Sequence, residues 1–425
     1  MSLADLLEIS KQAFMYSFFL YCISFIAFAV SVIGKSWRNR DPVQHERKWG
    51  RISFFISTVG LLGHLLYFGT RWAAAGRIPV SNMYEFMSFL SMMIMVAFTI
   101  VFIIYRKTLL GLFALPIAII VMAYAAVFPT EVQPLIPSLQ SIWLYIHVTL
   151  AATGESFFAV GFAAAFMYLL RTVNFDGREK SDRRQRWWVE FTMFSIVIVI
   201  GFIVAVFAFR ASGYQAVFSS EQVVAATEAS PEVSTKSDTV VYNMPPIVAP
   251  YNSKTDSMQS FLGMNSPLLH APSWIEGVTA GRKLNTIVWS VIAGAIIYAL
   301  LRLLVRRPLG KLVSPLLKGL DPDDLDEISY RAIAIGFPIF TLGALVFAMI
   351  WAQQAWGRFW GWDPKEVWAL ISWLYYSAYL HLRLSRGFQG RKASWLAVLG
   401  FLVIMFTLVG VNLVIAGLHS YAGTN

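Results

Sequence analysis

Apolar residues along this chain form long unbroken runs, and the charged residues are confined to the gaps between them. Neither the stripe of an amphipathic helix nor the alternation of a half-buried strand accounts for such runs. They recur at about 14 to 34, 52 to 70, 86 to 105, 108 to 127, 142 to 170, 189 to 210, 286 to 305, 332 to 351, 368 to 382 and 394 to 416. The pattern predicts an all-α integral membrane protein, a polytopic bundle of about ten transmembrane helices. The 142 to 170 run exceeds what one crossing needs, and Pro116 and Pro338 are expected to kink the runs that contain them. The pattern lapses once, over 211 to 285, where Ser, Thr, Val and Pro predominate. Three parts follow: N-terminal membrane helices over 1–210, an external loop insertion over 211–285, and C-terminal membrane helices over 286–425. The insertion is expected to be partly ordered and to offer a partner surface; a tolerated insertion explains it as well.

Composition agrees: 57% of residues are hydrophobic and 14% charged, against about a quarter charged in soluble proteins. The net charge of +10 lies in short clusters between apolar runs. Such clusters set membrane topology and form no track for a phosphate backbone, so no nucleic acid is expected as partner. Lys35, Arg38, Arg40, Arg47, Lys48 and Arg51 fill one connection, Arg106 and Lys107 another, and Arg178 to Arg186 a third; connections near 302 to 331 and 383 to 392 are also basic. The intervening connections carry little beyond Arg71, Arg77, Arg358 and Lys365. The positive-inside rule then places both termini and the segment around residue 360 outside. The sole cysteine, Cys22, lies in the first run, which excludes an intramolecular disulfide and a CxxC pair and reads as a small buried hydrophobe. That first run is too long for a signal peptide and reads as a retained helix. No nucleotide-binding glycine motif occurs.

Chemistry concentrates in WAQQAWGRFWGWDPKEVWALISWLYYSAYLHLR, from Trp351 to Arg383. Trp351, Trp356, Trp360, Trp362, Trp368 and Trp373 crowd around Gly357, Gly361, Asp363 and Pro364. Single tryptophans anchor a membrane–water boundary, but this density on a helix break makes an aromatic platform suited to a large flat ligand. Topology brings His147, at the outer end of the fifth run, and His419, at the outer end of the last, to the same membrane face. Two neutral imidazoles flanking such a platform suit the two axial positions of a haem iron, although each alone reads as an interfacial histidine. His381 lies deeper, toward the inner end of the ninth run, either as a ligand of a second site or as a helix-end residue beside Arg383. His64 is weighed lower because no aromatic cluster adjoins it in the sequence. His45 and His270 read as surface residues.

Asp363, Lys365 and Glu366 lack a nucleophile or metal partner, so they read as a helix cap, with Pro364 in its first turn. Arg358 and Lys365 are candidates to hold haem propionates. The segment from Ser314 to Arg331 is expected to form a short surface helix capped by Asp321.

The chain resembles the CcsA/ResC-type cytochrome c biogenesis proteins of system II, within the wider haem-handling WWD-domain family. The resemblance rests on WGRFWGWDPKEVWALISW at 356 to 373, YLHLR around His381, GFPIFTLGALVFAMIWAQQAW before the platform, WLYIH around His147, the terminal GLHSY, and RIPVSNMYEF at 77 to 86. It implies a multi-pass protein of a bacterial plasma membrane or a thylakoid that carries non-covalent haem b to the external face and presents it to the CxxCH motif of apocytochrome c. It implies His147 and His419 as paired external haem-iron ligands, Trp356, Trp360, Trp362, Asp363 and Trp368 as the haem-binding segment, and His381 as a transmembrane ligand. It also implies a CcsB/ResB (Ccs1)-type membrane partner, with which the chain would be a subunit of a cytochrome c synthase, or haem lyase. The competing class is a membrane haem protein for transmembrane electron transfer. A solute transporter is disfavoured, since no inverted repeat or midplane polar cluster is legible.

Overall fold

The structure, a computed structural model, describes residues 2–36, 41–132, 135, 140–224, 234–272, 278–385 and 387–411. His419 therefore lies outside the described residues. The chain divides into two compact units, one built from 1–190 and 308–411 and the other from 191–307.

The first unit opens with two long helices, α1 (Leu3–Ile33) and α2 (Pro42–Ala75), packed against each other. Their interface is written in small residues. Ser10, Ser17, Ser24 and Ser31 recur every seven residues on α1 and all are buried, while α2 presents Gly50, Ser53, Ser57 and Gly60. A Cβ on Gly60 would stand 2.8 Å from the Tyr21 ring, so glycine sets that approach. The Ser24 hydroxyl donates to the Ser53 carbonyl at 2.8 Å, tying the helices where no water can. The outward faces expose Phe19, Ile26, Phe55, Leu62 and Leu66. Cys22 is half-buried.

Helices α3 (Met83–Tyr105) and α4 (Thr108–Ala125) follow, and α4 runs unbroken through Pro116. Helix α5 (Ile142–Thr172) is the most enclosed of the candidate spans, with 89% of its apolar stretch buried. Helix α6 (Lys180–Ala211) leads into the second unit, and α8 (Leu309–Val313) re-enters the first after α7 (Val278–Val305). The Glu190 carboxylate accepts the free N–H groups of Leu309 and Gly310 at the start of α8.

Helix α9 (Pro322–Phe340) starts at an Asp321 cap whose carboxylate accepts the Asp323 N–H at 3.0 Å. The cap lies where the sequence places it, but the segment is the beginning of a long span and not a separate surface helix. After Pro338 the register widens into a π-helix (Thr341–Phe347) before α10 (Ala348–Trp356). Proline removes a backbone donor, and a π-turn is one way for a helix to absorb the loss. Two glycine pairs, Gly154 and Gly161 on α5 and Gly336 and Gly343 opposite, have the same seven-residue spacing. A Cβ on Gly343 would lie 2.3 Å from the Ala151 nitrogen, so here the backbones themselves are in contact. Helices α11 (Pro364–Arg383) and α12 (Arg391–Met405) complete the unit, and α12 also runs into a π-helix (Phe406–Gly410).

Nine helices among the described residues are long and apolar enough to cross a membrane. The protein is an all-α polytopic membrane protein. The tenth expected run is α11, 20 residues long, which reaches about 30 Å. Its Trp, Tyr and His content lowers its mean hydropathy below that of its neighbours.

The second unit joins α6 and α7, with Gly201 against Gly294, to the strands of the insertion. Strands β1 (Ala216–Val224), β2 (Ser234–Tyr242) and β4 (Lys254–Met258) form an antiparallel sheet in the order β2-β1-β4. The short β3 (Val248–Ala249) and β5 (Leu269–His270) pair in parallel. Tyr214, Ala216, Phe218, Tyr242 and Ala249 form their core. The Asn285 side chain on α7 both accepts from the Val248 N–H at 2.9 Å and donates to the Val248 carbonyl at 2.7 Å, serving as a strand would. The described residues of the insertion thus form a small β-module.

Candidate functional site

The tryptophan segment is a backbone-locked turn between two helices. Helix α10 ends at Trp356 with Gly357 in the left-handed region at φ 70°, its N–H donating to the Gln353 carbonyl at 3.0 Å. At the other side Asp363 is buried and caps α11, accepting the Lys365 N–H at 3.2 Å. The Glu366 carboxylate reaches back to the N–H groups of Gly361, at 2.7 Å, and Asp363, at 3.2 Å. This capping box satisfies the orphan donors of the helix start and fixes the turn. Asp363 and Glu366 are therefore structural groups of the segment, as a cap reading expects.

Within the turn, Trp362 adopts φ 57° and is 70% exposed, with Phe359 beside it at 59%. A bulky residue in the left-handed region is strained and persists where its surroundings impose it. Trp360 meets the Trp362 edge at a centroid distance of 5.9 Å, and its indole N–H is buried without an acceptor among the described residues. The segment thus carries an exposed aromatic surface and an unspent donor. Trp368, in the first turns of α11, packs on Phe406 at 4.5 Å, and the Trp373 indole donates to the Thr341 hydroxyl at 3.0 Å. These two tie α11 to both π-helices.

His147 comes to this segment from α5. Its ring lies nearly parallel to the buried Trp351, centroids 5.9 Å apart at 12°, and Trp351 in turn meets Trp356 edge-on at 4.8 Å. Leu144 and Trp143 complete the cluster around Trp351. His147 Nδ1 donates to the Gly343 carbonyl at 3.0 Å. A carbonyl can only accept, so Nδ1 carries the proton and Nε2 is the basic nitrogen of the ring. Gly343 sits in the π-helix and lacks a side chain to block the approach. That arrangement is the one in which imidazole ligates a metal, with its second nitrogen oriented by a backbone carbonyl. The sequence brought His147 to the platform by topology; the π-helix carbonyl that orients it had no signal beyond the glycine spacing.

His381 stands apart. It is exposed, 18 residues along α11 from Asp363, or about 27 Å at the helical rise. Its neighbour Arg383 is committed elsewhere, in a buried two-pronged pair with Asp326 at 2.9 and 2.6 Å. Asp326 also accepts the Gly390 N–H, which joins the ends of α9, α11 and α12.

His64 has in space the aromatic cluster that its sequence neighbourhood does not show. It is fully buried, 5.6 to 6.2 Å from the rings of Phe14, Tyr21 and Tyr67, and its Nδ1 meets the Tyr21 hydroxyl at 3.3 Å. Phe14 and Tyr21 arrive from α1, far from His64 in sequence.

The RIPVSNMYEF loop holds functional-looking polar residues for a structural reason. Glu85 is fully buried and receives Arg71 at 3.0 Å, Arg77 at 2.8 Å and the Ser81 N–H at 3.1 Å, while Asn82 caps α3. Arg71 also donates to the Thr130 carbonyl at 3.0 Å. Among the described residues no three His, Cys, Asp or Glu side chains converge on a metal position.

A family model described as cytochrome C assembly protein matches residues 80–223 and 286–419, leaving most of the β-module outside the match. The chain is 30% identical over 388 residues to cytochrome c biogenesis protein CcsA of Nostoc punctiforme, covering 88% of this chain and 92% of that one. It is 32% identical over 357 residues to the proteins of the same name from Trichormus variabilis and a further Nostoc species, covering 83% of each chain.

Proposed function

The chain belongs to the cytochrome c assembly protein family, and from that premise we propose that it binds haem b non-covalently, carries it to the external face and presents it to the CxxCH motif of apocytochrome c. A role in cytochrome c assembly is the common ground with its relatives, which are cytochrome c biogenesis proteins by name. The observation that supports the finer reading is the tautomer of the His147 imidazole, whose proton the Gly343 carbonyl holds on Nδ1 so that Nε2 is the basic nitrogen, beside the tryptophan segment.

In this reading haem is the cargo. His147 supplies one axial ligand and His419 the other. Trp356, Trp360, Trp362 and Trp368 form the aromatic wall, and the free Trp360 indole N–H and the Arg358 and Lys365 cations hold the propionates. Asp363 keeps the wall in place through the capping box. His381 serves a second, inner site, its other ligand coming from a CcsB/ResB-type partner chain. The platform and both termini face outside, and the membrane is a bacterial plasma membrane or a thylakoid. The organisation is 1–210 and 286–425 as membrane helices with 211–285 as an external insertion. With its partner the chain forms a cytochrome c synthase in which it positions haem.

The test is the absorption spectrum of the full chain purified with its partner under adequate haem supply. The reading expects a six-coordinate haem spectrum that fades in His147→Ala and His419→Ala. Haem-free wild-type protein under those conditions overturns it.

A further inference from the structure

The buried face of α11 is polar from end to end. Ser372, Tyr376, Tyr379 and Arg383 are its buried residues, spaced as one helical stripe, where a membrane helix in a protein interior would ordinarily bury Leu, Ile or Phe. Three of the four have polar company. The Ser372 hydroxyl lies 3.4 Å from that of Thr407 on the second π-helix. Tyr379 lies beside Ser329 on α9, and Arg383 closes the stripe on Asp326. Tyr376 is fully buried and stacked on Phe158 of α5 at 3.8 Å, yet its hydroxyl has no partner among the described residues.

Glu155 meets this stripe from α5, one turn before Phe158. It is 6% exposed, its Oε2 is buried with no hydrogen-bond donor, and no cation pairs with it among the described residues. Phe158, whose ring stacks on Tyr376, places Glu155 within one turn of α5 from the stripe. The other ionisable groups along the stripe are Tyr379 and the Asp326–Arg383 pair, which is already neutralised within itself; among the described residues α12 adds the hydroxyl of Ser394 and the π-helix after it that of Thr407. A carboxylate without a counter-charge is strongly disfavoured at membrane depth, whereas a carboxylic acid can donate or accept a hydrogen bond. Glu155 also lies eight residues from His147 on the same helix, about 12 Å along its axis.

We propose that Glu155 is a proton-exchanging site within the membrane, reached along the polar face of α11. The ligand is the proton itself, held on the Glu155 carboxyl and passed through the hydroxyls of Tyr376 and Ser372 or Tyr379. Such a site offsets charge that enters or leaves the neighbouring His147 region, whatever the cargo there, so the proposal stands apart from the haem reading.

Infrared spectroscopy of the full chain in lipid nanodiscs tests it. Wild type is expected to show a carboxylic-acid C=O stretch that shifts down within minutes in D2O and is absent in Glu155→Gln. Should Glu155→Gln fail to fold, Glu155→Asp moves the same band. Exchange slows at least tenfold in Tyr376→Phe and Ser372→Ala, while Tyr375→Phe, whose hydroxyl donates to the Leu396 carbonyl away from the stripe, leaves it unchanged. Absence of an acid band attributable to Glu155 overturns the proposal. So does an acid band that ignores D2O for hours, which marks a sealed structural acid, or equal exchange in all three hydroxyl variants.

Discussion

The imidazole of His147 lies parallel to the Trp351 indole to within 12°, and the ring's Nδ1 is held by the carbonyl of Gly343 from the other helix. One face and one edge of the imidazole are thereby fixed by residues about two hundred positions away. Trp351 is 2% exposed, so truncating it opens a cavity. Trp351→Ala is expected to cost about 3–5 kcal/mol, measured by thermal unfolding of the detergent-solubilised protein. Trp351→Phe keeps most of that stability but lets the imidazole turn, so haem retention on a size-exclusion column falls while the unfolding temperature changes little.

Gly343 admits no side chain, because a Cβ there would stand 2.3 Å from a backbone nitrogen of α5. Gly343→Ala must push the π-helix away from α5, at a cost of about 1–3 kcal/mol. The same displacement lengthens the His147 hydrogen bond. A Gly343→Ala protein that unfolds at the wild-type temperature and retains haem as wild type does removes the π-helix from the account of the site.

The capping box holds the tryptophan turn through two N–H groups on Glu366. Glu366→Ala is expected to cost about 1 kcal/mol and to loosen the turn, seen as faster chymotryptic cleavage at Phe359 or Trp362. Glu366→Gln, which still accepts those bonds, is expected to cleave at a rate close to wild type.

Glu85 is buried between two arginines. Glu85→Ala removes the buried carboxylate that both cations share and is expected to cost about 3–5 kcal/mol, with low membrane yield. Replacing Arg71, Arg77 and Glu85 together by apolar residues recovers much of that loss, which a series of unfolding temperatures would reveal.

What the sequence made legible was local or repetitive. Run length gave the helices, and Asp321 and Asp363 announced their caps because capping needs only the next three residues. Charge placed between the runs brought His147 to the tryptophan turn. The serine spacing on α1 and the glycine spacing on α5 stand in the sequence too, but which helices they join is seen only in the fold. What stayed hidden depends on partners from distant elements. The aromatic shell of His64 comes from α1, the Gly343 carbonyl is exposed by a π-turn that no periodicity marks, and Glu155 looks like one polar residue in an apolar run until α11 turns its own polar face toward it. The strands of the insertion escaped because Ser, Thr and Val spread over 211 to 285 read equally well as loop.

The central claim is that His147 offers Nε2 to an iron. The direct measurement is the absorption spectrum of His147→Ala, co-purified with its partner, before and after addition of imidazole. Loss of the external haem signal and its partial return with imidazole, in a protein whose unfolding temperature matches wild type, is the predicted result. Full haem content in His147→Ala, with no response to imidazole, contradicts it.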